Sequence, residues 1–165
     1  MSVSAAQALK PLCLREPLLT LAVAESMTGG RLQAAITAIS GASGFFLGGM
    51  TAYTLDQKVR HLGVKRAAAR KVNAVSAEVA AQMARGAARL FCADVAVATT
   101  GYAEPAPERG VEDPFAWWAI VHRTSPRSWH VITGRVVCPG MTRTQAQEAV
   151  TAAVVAELAA YLRAF

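Results

Sequence analysis

A hydroxyl beside an uncharged amine can attack a carbonyl carbon, and two residue types in this chain invite that chemistry. Ser43 lies in Ser40-Gly41-Ala42-Ser43-Gly44, a glycine-bounded loop free to present its oxygen. Lys58 follows, with Arg60 close by and apolar Val59 and Leu62 as neighbours. A lysine ordinarily titrates near ~10.4, so it serves as a base only when burial or a nearby cation lowers that value. Spacing does not bring the two side chains together, and an ordinary loop serine and surface lysine fit the same residues. Other hydrolytic chemistries have less support. No Gly-x-Ser-x-Gly nucleophile elbow is present. His61, His122 and His130 are scattered, which leaves a Ser-His-Asp triad open and unsupported. Cys13, Cys92 and Cys138 form no Cys-x-x-Cys pair. Neither a disulfide scaffold nor a metal site is expected, and no cofactor.

Phosphate recognition has a few candidate sites. Gly-x-Gly-x-x-Gly after a strand and the Gly-x-x-x-x-Gly-Lys-Ser/Thr loop are both missing, which disfavours dinucleotide and P-loop folds. Thr28-Gly29-Gly30 does sit between an apolar run and a helical pattern, where free N–H groups and the helix dipole favour an anion. The plainer reading is a strand-to-helix turn capped by Ser26 or Thr28. The chain carries 17 Lys and Arg against 11 Asp and Glu, a net +6. Lys58, Arg60, Lys65, Arg66, Arg70 and Lys71 concentrate that excess. Such a stretch meets phosphate or is a solvated helix face. No nucleic-acid motif or aromatic stacking platform accompanies it, so a nucleic-acid partner is not expected.

These residues need a scaffold. With 165 residues, 53% hydrophobic and 17% charged, the chain can bury a core and reads as one domain, 1–165. Free thiols fit a reducing cytoplasm. The apolar run Leu18–Ala24 is too short to span a bilayer, so no membrane association is expected. Helical signals cover 4–14, 31–39, 56–62 (with Gly63 closing the helix), 77–91 (with Ser76 as cap) and 142–165. Val79, Met83, Ala87 and Leu90 form the expected buried stripe of the fourth. Strands are expected at 18–24, 46–54, 94–100, 115–122 and 129–137, the last two as a hairpin. Helices alternating with strands and then a hairpin imply a layered α/β domain with a mixed sheet.

Six ordered segments then become specific. They are Glu25-Ser26-Met27-Thr28-Gly29-Gly30, Ser43-Gly44-Phe45-Phe46-Leu47-Gly48-Gly49, Ala52-Tyr53 with Lys58, Leu62-Gly63-Val64, Ala74-Val75-Ser76 with Glu78-Val79-Ala80, and Thr100-Gly101. Together they resemble the carboxy-terminal domain of the CinA family, whose active members are nicotinamide-nucleotide amidases. The likeness runs from about residue 18 to 101 and resumes more loosely in the hairpin and last helix. It implies a three-layer α/β/α sandwich with a mixed five-stranded sheet, in standalone form. It implies hydrolysis of nicotinamide mononucleotide to nicotinic acid mononucleotide and ammonia. It implies Ser43, Tyr53 and Lys58 as the catalytic set. Thr28, Gly29, Gly30, Ala42, Thr100, Gly101 and Arg143 become the substrate-binding set. A small nucleotide is then the expected partner and a homo-oligomer the expected state; Trp117, Trp118 and Trp129 of the hairpin either face a partner subunit or, on the plainer reading, pack in the core.

The chain departs from the family pattern in three places. The family's Thr-Gly-x-Ala-Gly-Pro-Gly-Gly loop reads Thr100-Gly101-Tyr102-Ala103-Glu104-Pro105-Ala106-Pro107, which removes glycines and adds a carboxylate. Glu104, Glu108, Glu112 and Asp113 put acids where a phosphate ligand is expected. The family's Gly-Asp-Arg reads Gly140-Met141-Thr142-Arg143, so its arginine is displaced by one position. Two alternatives to the amidase follow: an amidase with another substrate, and a non-catalytic nucleotide-binding or interaction module.

Overall fold

The computed structural model describes residues 5–165. In chain order the elements are α1 (Ala5–Leu14), β1 (Leu21–Glu25), α2 (Arg31–Thr37), β2 (Phe46–Thr51), α3 (Leu55–Leu62), α4 (Arg66–Lys71), α5 (Ala77–Leu90), β3 (Val95–Tyr102), β4 (Phe115–Ser125), β5 (Ser128–Val137) and α6 (Arg143–Ala164). Residue 4, the expected start of the first helix, lies outside the described residues. The sheet order is β2-β1-β3-β4-β5. β1 pairs in parallel with both β2 and β3, while β4 and β5 add antiparallel strands at one side. The expected α/β class and mixed five-stranded sheet are therefore found. Among the described residues no helix is long and apolar enough to cross a membrane.

Side chains alternate across a strand, so each sheet face carries its own core. Leu21, Val23, Val95, Val97 and Ile120 pack with Leu9 and Cys13 of α1, Leu32 and Ile36 of α2, and Val150, Val154, Leu158 and Leu162 of α6. Ala22, Ala24, Ala96, Ala98 and Ala119 form the other face, under α3, α4 and α5. Helices cover both faces, giving three layers. Trp118 joins the first core, and Trp117 and Trp129 lie half-buried against the second.

The alanine-rich face lets helices approach closely. A Cβ on Gly86 of α5 would lie 2.2 Å from the Leu62 carbonyl oxygen and 2.6 Å from its Cα. Alanine in a helix interior ordinarily gains roughly 1 kcal/mol over glycine. Here the neighbour is backbone and cannot rotate away. Gly86→Ala is expected to destabilise the fold by about 2 kcal/mol, read as a lower urea midpoint at unchanged slope. A neutral or stabilising result would mean that α3 and α5 separate at no cost.

Two expectations need correction. Leu90 is exposed rather than part of the α5 stripe. The buried pairs Val79/Ala80, Met83/Ala84 and Ala87/Ala88 advance by four, so the next member is Phe91, which packs against that core. α4 was not foreseen, because the basic stretch hides a helix of six residues with one buried position, Ala69.

Candidate active site

Parallel strands β1, β2 and β3 end along one edge of the sheet. The crevice outside the carboxyl ends of such strands is where open α/β sheets take ligands. A cleft of about 500 Å3 lies there. Ser26 follows β1, Tyr53 and Lys58 follow β2, Thr100, Gly101 and Tyr102 close β3, and all line the cleft.

Lys58 is its chemical centre. It is only 2% exposed, in a helix whose start is capped by Thr54. Its Nζ lies 2.8 Å from Ser26 Oγ, 2.8 Å from the Ala52 carbonyl and 3.0 Å from the Tyr53 carbonyl. Burial lowers its pKa from 10.5 to about 8. The partners decide what the neutral form does. A carbonyl only accepts, so the two carbonyls take the two N–H bonds of an uncharged amine. The remaining lone pair then faces Ser26, whose hydroxyl can donate to it. That is the arrangement in which an amine withdraws a serine proton.

Ser43 is not part of this constellation. It is exposed, in a 3-10 turn at Ala42–Gly44 before β2. Lys58 follows the other end of that strand, whose six residues span about 20 Å. Ala42 shares the Ser43 turn, buried in the first core and away from the cleft. The serine beside Lys58 is Ser26. Its signal was present in the Glu25–Gly30 segment, where Ser26 reads as a helix cap.

Ser26 does not cap α2 because Glu25 does. The Glu25 carboxylate is fully buried. Its Oε2 accepts from Thr28 Oγ1 at 2.7 Å, Gly30 N–H at 3.0 Å and Leu32 N–H at 3.1 Å, and its Oε1 accepts from Gln33 N–H at 2.9 Å. Of the donors expected to hold a substrate phosphate, the Gly30 N–H is thus taken by the protein's own carboxylate and the Gly29 N–H by the Ser26 carbonyl at 3.1 Å. Thr28 is also fully buried and shares its hydroxyl with Thr99 at 2.8 Å. Thr28, Gly29 and Gly30 position Ser26 and do not line the cleft.

The other expected residues do face it. Thr100 lines the cleft and donates to the Ala74 carbonyl at 2.7 Å. Gly101 is required by packing, since a Cβ there would lie 2.1 Å from the Phe115 carbonyl oxygen. Tyr53 touches Lys58 through its main chain, while its phenol oxygen accepts from Arg143 Nη2 at 3.1 Å. Arg143 Nη1 also donates to Glu104 Oε1 at 3.2 Å. One wall is formed by Asn73, Ala74 and Val75, of which only Ala74 and Val75 stand in a family-like segment, with no sign there of their backbone. Asn73 and Ala74 both adopt left-handed backbone, with φ of 49° and 57°. Asparagine tolerates that region and alanine resists it, so this turn holds strain beside the cleft.

These features define a three-layer α/β protein with a serine–lysine cleft at its parallel strand ends. The chain belongs to the CinA C-terminal domain family, whose model matches residues 4–162. It is 42% identical over 119 residues to a CinA-like protein of Geobacter metallireducens, covering 70% of this chain and 29% of that protein. Over 86 residues it is 51% identical to a CinA-like protein of Picosynechococcus, covering 52% of this chain and 20% of that one. The chain thus spans less than a third of these relatives. Solved structures match over nearly all of it. A CinA superfamily protein from Klebsiella pneumoniae superposes with a TM-score of 0.87 at 26% identity, covering 98% of this chain and 97% of the other. A competence/damage inducible protein from Agrobacterium tumefaciens gives 0.82 at 30% identity, covering 99% of each.

Proposed function

We propose that this protein is an amidase that hydrolyses a carboxamide on a pyridine nucleotide, nicotinamide mononucleotide being the substrate the family resemblance supplies. The observation that carries the reading is the buried Lys58 amine held by two carbonyls against Ser26 Oγ. In the reaction, neutral Lys58 takes the Ser26 proton as Oγ attacks the amide carbon. The resulting ammonium returns that proton to the leaving nitrogen, and ammonia departs. Water then attacks the Ser26 ester with Lys58 again as base. The carboxylate leaves and Ser26 regains its proton. Tyr53 and Ala52 position the amine through their carbonyls. Ser26 replaces Ser43 as the proposed nucleophile.

The test is ammonia release from nicotinamide mononucleotide by the purified protein, followed against pH. Only the unprotonated amine is a base, and its fraction rises with pH through the Lys58 pKa of about 8. The value of kcat/KM should therefore climb about tenfold per pH unit from pH 6 and level off above pH 8. A flat profile between pH 6 and 8 would remove Lys58 from the base role. One observation favours a second reading, a ligand-holding domain without turnover: Glu104 occupies Arg143 in the cleft. Nucleotide binding with no ammonia at any pH would select it.

A further inference from the structure

The cleft does not stop at Tyr102. Past Tyr102 and Asn73, joined by an Asn73 Nδ2 to Tyr102 Oη hydrogen bond of 3.0 Å, it meets a second hollow. Arg70 and Glu108 line both, and Lys71, Arg109 and Arg135 line the second.

The two ends differ in available charge. At one end Arg143 is already engaged by Glu104 and the Tyr53 phenol. At the other, Glu108 is the acid facing the hollow, and Arg109 stands 3.7 Å from it. That leaves Arg70, Lys71 and Arg135 in no ion pair among the described residues. The Arg135 guanidinium lies 4.1 Å from the centre of the Phe115 ring and 5.8 Å from that of Trp117. Stacking fixes the plane of a guanidinium while leaving its edge N–H groups free for an anion. An anion approaching Arg143 meets a guanidinium already shared with a carboxylate, whereas Arg70, Lys71 and Arg135 are held in no ion pair among the described residues, with Glu108 in their hollow and Glu112 and Asp113 in the one adjoining Arg135.

We propose that the hollow beyond Tyr102 is a phosphate or diphosphate subsite, in which Arg70, Lys71 and Arg135 rather than Arg143 receive the anionic part of the ligand. This places the charged end of the nucleotide and rests on the amidase reading only for what occupies the Ser26 end. It also departs from the role expected of Arg143.

Calorimetric titration of the full chain with inorganic pyrophosphate tests it without requiring turnover. Binding at low ionic strength that weakens as salt is added is expected. The double variant Arg70→Ala/Arg135→Gln should weaken it at least about tenfold, and Arg135→Lys alone by less. Arg143→Ala should change it less than about twofold, as should Arg163→Ala at the far end of α6. Melting curves without ligand confirm that the variants fold. The proposal fails if pyrophosphate does not bind at low salt, or if Arg143→Ala carries the loss. It also fails if a single-stranded oligonucleotide binds with length-dependent affinity and pyrophosphate does not compete, which would make the patch a nucleic-acid surface. Pyrophosphate binding with no ammonia release would instead sink the amidase reading and leave the subsite standing.

Discussion

Ser26→Ala is expected to lower ammonia release by about a thousandfold or more, while Ser43→Ala leaves it within about twofold. The contrast follows from the parallel crossover. Ser26 Oγ stands 2.8 Å from a lysine amine that burial has moved to about pH 8. Ser43 stands at the other end of β2 with no lysine partner in its hydrogen bonds among the described residues. Lys58→Ala should match Ser26→Ala, and the double variant should be little worse than either, because nucleophile and base act as a unit. Lys58→Arg should not rescue, since a guanidinium stays protonated above pH 12 and offers no lone pair. These assays need a folded protein, so near-ultraviolet circular dichroism should accompany each. Ser26→Ala retaining a tenth of the activity would end the assignment, and so would an inactive Ser43→Ala.

The separation of Ser43 from Lys58 shows where reading a sequence stops. β1 and β2 were recognisable as apolar runs, and a helix between them implies parallel pairing. Parallel pairing already decides the question. Residues following β1 and β2 emerge at one edge of the sheet, while residues preceding β2 lie at the opposite edge. Ser26 and Lys58 both follow their strands, and Ser43 precedes its own. Ser26 and Lys58, 32 positions apart, therefore close to 2.8 Å, while the nearer Ser43 is held apart. What obscured this was an ambiguity of chemistry. A serine before a helix reads as a cap, and only the buried Glu25 carboxylate, taking three α2-end N–H groups, shows that the cap position is filled.

Other elements follow the same division. Ser76 caps α5 through Val79 N–H, and Gly63 closes α3 with φ of 68°, both as local chemistry dictates. The Asn73–Ala74 turn was illegible, because left-handed alanine has no local signature. It is stabilised by distant partners, namely the Thr100 hydroxyl on the Ala74 carbonyl and the Tyr102 phenol on Asn73. Arg143 was legible as a cleft residue, but its engagement by Glu104 joins the first residue of α6 to a loop 39 positions earlier.

Glu25→Ala should produce the largest loss of stability, about 4 kcal/mol. The deletion removes one side chain and leaves the Thr28 hydroxyl and the N–H groups of Gly30, Leu32 and Gln33 without their acceptor. The cavity is sealed, since Glu25 is fully buried, so bulk water does not readily replace the carboxylate. α2 has only seven residues and its cap position, Gly30, supplies no side-chain cap, so it depends on this acceptor to satisfy its first turn. For a chain of this size the loss corresponds to a melting temperature lower by about 8–16 °C. Glu25→Gln is the discriminating partner. Its one carbonyl oxygen can still accept the three bonds made at Oε2, but its amide nitrogen must face the Gln33 N–H, donor against donor. It should lie between wild type and Glu25→Ala in melting temperature. Because Ser26 is the next residue, each variant should also lose ammonia release in proportion to the loosening of the turn. If Glu25→Ala melted within 2 °C of wild type, α2 would be held by its packing alone, and the serine would owe its position to the strand rather than to the carboxylate beside it.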